Sequence, residues 1–106
     1  MSGPDAPAPD VIDLGTLARE LPQAWRSRLL GGIGQARLKL LRMDAGAYPE
    51  EIHDQAEALL VLEGRMRLRF ADQVRTVGAG ELCLVPAGVA HAVAEGSHGI
   101  LLIVDT

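Results

Sequence analysis

Residues 80–91 constrain this chain more than any other stretch: Gly80, Pro86, Gly88 and His91 stand at fixed offsets around one short apolar run, Leu82 to Val85. Gly80 suits a tight turn, since it reaches positive φ without a Cβ clash. Leu82 to Val85 then reads as a strand. Pro86 stops it, because proline has no N–H to give to a ladder. Gly88 lets the chain reverse, and the chain re-enters an apolar run through His91. An imidazole therefore stands at a strand entry beside a tight turn.

The rest of the chain alternates strand and turn in the same way. Apolar or alternating segments are expected at Ser27 to Leu30, Gln35 to Met43, Ala56 to Leu62, Arg65 to Phe70, Val74 to Val77, Ala92 to Glu95 and Ile100 to Val104. Turns are expected at Gly31 to Gly34, Asp44 to Ala47, Glu63-Gly64, Ala71 to Gln73, Gly78 to Gly80 and Gly96 to Gly99. Ala56 to Leu62 is apolar almost throughout, so both its faces should be covered. Arg65, Arg67 and Arg69 alternate with Met66, Leu68 and Phe70, and strand geometry sends the two sets to opposite faces. Many short strands joined by glycine-rich turns indicate an all-β sandwich or small barrel, and patterning alone leaves both open. Ahead of them, three prolines in the first nine residues predict a flexible arm over residues 1–10, followed by a single domain over 11–106. Asp13 is positioned to cap a short helix from Leu14 to about Glu20, with Leu14, Leu17, Ala18 and Leu21 on one face. Trp25 is expected to pack the arm against the domain or against a second subunit.

Composition removes several function classes. The net charge of −4 and the scattered basic residues argue against a nucleic-acid surface, which needs a positive patch. Aromatics are only 3% of residues, so the core must be aliphatic and offers few stacking platforms for bases or sugars. No apolar run approaches membrane-spanning length and the first ten residues lack the pattern of a secretory leader, so no membrane partner and a cytoplasmic location are expected. Cys83 is the sole cysteine; it sits among apolar residues and reads as a small buried thiol rather than a nucleophile.

The spacing G-x5-P-x-G-x2-H over residues 80–91 resembles the second sequence motif of the cupin family. Upstream, His53-x3-Glu57-x6-Gly64 resembles the second His, the Glu and the closing Gly of that family's first motif. The departure is at the first His, where this chain has Glu51. The resemblance runs over about residues 35 to 104. It selects the barrel over the sandwich and implies a double-stranded β-helix, or jelly-roll barrel, with the short helix and arm in front.

The resemblance also implies a metal site built from His53, Glu57 and His91, with Glu51 as a fourth ligand or a general base, and thus the one candidate catalytic residue. Glu57 opening an apolar strand agrees with this, because a buried carboxylate needs a partner to offset its desolvation; an edge Glu reaching solvent is the plainer alternative. Two neutral imidazoles and two carboxylates balance a divalent ion and suit mixed N/O geometry, as with Fe, Mn, Ni or Zn. His98 fits no motif and is expected in a loop. The implied function is a small metalloenzyme acting on a small organic molecule by dioxygenase-, isomerase- or lyase-type chemistry. Two alternatives are a non-catalytic metal or small-ligand sensor and a barrel that has lost its metal. The partner is a small molecule, and a homodimer is expected. Met43, Tyr48, Leu60, Met66 and Phe70 are candidates for the pocket wall, which would favour a hydrophobic compound over a sugar phosphate.

Overall fold

A computed structural model of the chain describes residues 9–45 and 54–106. The chain runs α1 (Leu14–Glu20), β1 (Arg28–Ile33), β2 (Ala36–Met43), β3 (Glu57–Phe70), β4 (Gln73–Gly78), β5 (Leu82–Val85), β6 (Ala92–Val93) and β7 (His98–Asp105). Every pairing is antiparallel. The strand order is β1-β2-β7-β3-β4, and β5 and β6 also pair with β3. The expected arm over residues 1–10 falls almost wholly outside the described residues.

The spine is β3. Its first half lies between β7 and β5, with Leu59 opposite both Ile103 and Cys83. Its second half lies between β4 and β6, with Leu68 opposite both Arg75 and Val93. The reversal expected at Glu63-Gly64 does not occur. The strand continues through a register shift between Val61 and Glu63. Gly64 still needs its glycine, at φ +77, because a Cβ there would collide with the carbonyl of His98. Gly99, directly across, would collide in the same way with the carbonyl of Glu63. The irregularity changes the parity of the buried face. Glu57, Leu59 and Val61 are buried before it, and Met66 and Leu68 after it.

Other turns follow their residue chemistry. Gly80 and Gly88 have positive φ, and the Val89 N–H donates back to the Pro86 carbonyl. Gly31 and Gly32 lie within β1 rather than in the turn, which falls at Gly34 with φ +59. His98 opens β7 opposite Arg65 rather than sitting in a loop, and it is exposed. The preceding turn is at Glu95-Gly96, and the fully buried Ser97 braces it by donating to the Ala94 carbonyl and accepting from the Arg67 N–H.

Two cores result. The larger is enclosed by the sheet: Leu41, Met43, Leu59, Val61, Met66, Leu68, Val77, Val85 and Leu101. The smaller joins Ala18 of α1 to Leu40 and Ile100 on the outer side of β2 and β7, flanked by Leu14, Leu17, Leu30 and Leu62. Asp13 caps α1 as expected, accepting from the Thr16 N–H at 3.0 Å. Cys83 is partly buried against the larger core, and burial pushes its thiol above the usual range. No helix among the described residues is long and apolar enough to cross a membrane.

Candidate functional site

Strand alternation and register stack the inward side chains in layers. Leu41 of β2 is level with Leu101 of β7, which is level with Val61 of β3. One step along, Lys39 lines up with Ile103 and Leu59. A further step brings Arg37 opposite Asp105, with Glu57 next in line on β3. The sheet interior thus passes from an apolar floor to a charged mouth. A cavity of about 230 Å³ lies along this gradient. Its floor includes Leu41, Leu59, Met66, Leu68 and Leu101, and its upper wall includes Trp25, Lys39, Glu57, His91 and Asp105.

His91 and Glu57 meet at the mouth, with Nε2 2.9 Å from Oε1, and both side chains are more than nine-tenths buried. They are far apart in sequence and are brought together by the pairing of β3 with β5. Glu57 opens β3 next to Val85 of β5, and His91 follows the Pro86–Gly88 turn that β5 leads into. The carbonyl of Val89 lies 3.0 Å from His91 Nδ1. A carbonyl only accepts, so Nδ1 carries the hydrogen and Nε2 is aimed at the carboxylate. Phe70 sits beside the imidazole, ring centroids 6.1 Å apart.

This donor pair suits a divalent cation. An imidazole whose far nitrogen is fixed by a carbonyl is the usual arrangement of a histidine ligand. Two donors each roughly 2.1 Å from one ion and at right angles to each other stand about 3 Å apart, close to the separation seen here. Glu51 and His53 lie outside the described residues, as does Tyr48. Among the described residues no group of three or more His, Cys, Asp or Glu converges as a metal cluster.

Several wall residues differ from expectation. Met66 lines the cavity. Leu60 does not; it has the opposite parity to Leu59 on β3. Met43 is buried in the core beneath, and Phe70 packs against that core. Trp25 packs its own segment onto the enclosed core and overhangs the cavity. Its backbone is left-handed, φ +64. The N–H donates to the Arg42 carbonyl at 2.8 Å and the indole Nε1 to the Asp44 carbonyl at 3.2 Å. Lys39 and Asp105 were not foreseen at the site. Their signal was parity: each shares an inward face with apolar residues of its own strand.

The sequence model of the family described as "Cupin domain" matches residues 39–105. No curated protein sequence matches the chain. Among solved structures, a cupin-2 domain containing protein from Shewanella frigidimarina is 27% identical with a TM-score of 0.82, the match covering 90% of this chain and 93% of that one. A protein from Neisseria meningitidis is 23% identical with a TM-score of 0.77, covering 91% and 98%. A cupin superfamily protein from Desulfitobacterium hafniense is 22% identical with a TM-score of 0.74, covering 92% and 91%.

Proposed function

We infer function from one premise: this chain belongs to the cupin domain family, matched over residues 39–105, and its strands form that family's β-barrel. We propose that it is a small metal-dependent enzyme whose barrel holds a divalent ion (Fe, Mn, Ni or Zn) and a small organic molecule. The observation that carries this reading is the buried His91–Glu57 pair, 2.9 Å apart, at the mouth of a cavity with an apolar floor. His91 Nε2 and Glu57 Oε1 would hold the ion, with His53 and Glu51 completing the set. A bound divalent ion supplies Lewis-acid or redox chemistry at that point.

The chain's own residues do the remaining work. The Val89 carbonyl orients the imidazole. Leu41, Leu59 and Met66 keep water from the floor and take up an apolar body. Trp25 covers one side. Glu51 would serve as ligand or as general base. The cavity is smaller than the ~300–1,000 Å³ of sites for drug-sized ligands, which favours a compact molecule.

Elemental analysis of the purified protein, followed by titration with each candidate ion, tests the reading. Stoichiometric uptake that is lost in His91→Ala supports it, and no uptake by the native protein overturns it. Metal uptake with neither oxygen consumption nor turnover would move the protein to the non-catalytic binder. A cytoplasmic homodimer remains the expected form. Leu29, Ile33, Leu82 and Leu84 are exposed on β1 and β5, and light scattering reads the assembly directly.

A further inference from the structure

We propose that Lys39 is a specificity residue: it anchors an anionic group, a carboxylate, of the small molecule taken into the cavity. The inference deepens the reading of the same cavity given above, but it stands on different residues.

Lys39 faces the cavity from the layer it shares with Ile103 and Leu59. An apolar side chain of the same length would fill that place without desolvating an ammonium group. Its Nζ contacts Asp105 Oδ2 at 2.6 Å. Asp105 does not neutralise it fully, because Arg37 Nε holds the other carboxylate oxygen, Oδ1, at 3.1 Å. One carboxylate thus serves two cations, and the other carboxylate of the wall, Glu57, is turned to His91 rather than to Lys39. Arg37 is half exposed at the rim, whereas the Lys39 side chain is only 22% exposed. Among the described residues that line the cavity, Lys39 is the one basic side chain besides His91. A compact carboxylate would set its apolar part on Leu41, Leu59 and Met66 and its charge beside Lys39. An uncharged analogue of the same shape would leave the ammonium without that partner and be discriminated against.

The test uses benzoate and its neutral isostere benzamide, titrated calorimetrically into zinc-loaded and metal-stripped protein. Stripped native protein should bind benzoate at least about tenfold tighter than benzamide. Lys39→Met should reduce benzoate to the level of benzamide while leaving benzamide unchanged. Asp105→Asn removes the competing carboxylate and should tighten benzoate, which keeps the proposal testable if Lys39→Met does not fold. Equal affinity for the two probes, a preference that survives Lys39→Met, no benzoate binding, or weaker benzoate binding in Asp105→Asn each overturns the assignment. Zinc content of the same preparations separates the two readings. A benzoate preference in protein that takes up no zinc sinks the metal reading and leaves Lys39 in place. A preference that appears only on zinc loading and ignores Lys39→Met does the reverse.

Discussion

The two faces of β2 are built from adjacent residues and are packed to different standards. Leu40 points outward and is completely buried, closed over by Ala18 of α1 and Ile100 of β7. Leu41 points inward and lines a cavity, with Lys39 on the same face. The outer face is filled around an apolar cluster, with Arg42, opposite Ile100, donating to the Leu21 carbonyl. The inner face leaves space and places an ammonium, two carboxylates and an imidazole around it. Close packing maximises contact, so an unfilled interior with charged walls gives up stability. The helix supplies stability on the outside while the barrel keeps room on the inside.

Both faces depend on the seam where β3 crosses β7, so breaking it has the largest expected effect. Gly64→Ala and Gly99→Ala would each force a Cβ into a backbone carbonyl at a positive-φ position. Strain and overpacking together should cost on the order of 4 kcal/mol, much of the stability of a small domain. Urea midpoints close to native for either variant would mean the seam is far looser than described.

Truncation then separates the faces. Leu40→Ala should cost about 3 kcal/mol, since its pocket is closed on every side. Leu41→Ala should cost roughly half as much, because part of its surface already faces a void. Enlargement gives the sharper contrast. Leu40→Phe should lose about 2 kcal/mol by overpacking, whereas Leu41→Phe should be nearly neutral and should block ligand entry. Equal costs at the two positions would erase the distinction between filled and open faces.

The contrast also explains what could be read from the sequence. The Gly80–His91 segment was legible because its information is local: Gly, Pro and Gly dictate turns by their own φ preferences, whatever surrounds them. Gly64 was misread for the same reason. Positive φ serves a tight turn and a strand irregularity equally well, and only the partner strand, through Gly99, decides between them. The parity change after Val61 followed from that choice, and it placed Leu60 on the wrong side. Trp25 was visible as the sole tryptophan, but its place over the cavity depends on carbonyls of Arg42 and Asp44, about twenty positions away. No motif marks Lys39 or Asp105 in the sequence. Their inward orientation appears only once β2, β7 and β3 are aligned. Glu57 and His91 were found as motif residues, and their 2.9 Å approach is a fact of tertiary structure alone.

A charge-removing change at the mouth should spare the fold more than it spares binding. Glu57→Gln keeps the shape and one acceptor, so it should cost only about 1 kcal/mol in urea denaturation while removing stoichiometric metal uptake. That separation of stability from binding is expected on the inner face and nowhere on the outer one. A Glu57→Gln variant that retains full metal uptake would remove Glu57 from the ligand set.

The smallest effect belongs to the cap that holds α1 over the outer face. The Thr16 backbone N–H donates to the Asp13 carboxylate and holds its pKa below the ordinary value. The unfolded chain therefore takes up this proton at a higher pH than the folded one. The stabilising contribution is fully present above the unfolded value, near 3.9, and is lost as pH falls through the folded one. The group is exposed, so solvent screens it and the loss is slight. Asp13→Ala should lower the urea midpoint a little at neutral pH and flatten that small part of the acid dependence. Ligand affinity should not change, because α1 touches only the side of β2 that the cavity does not. A change in benzoate or metal binding in Asp13→Ala would show that the two faces are coupled through Leu40 and Leu41, and the division between a stabilising exterior and a working interior would have to be given up.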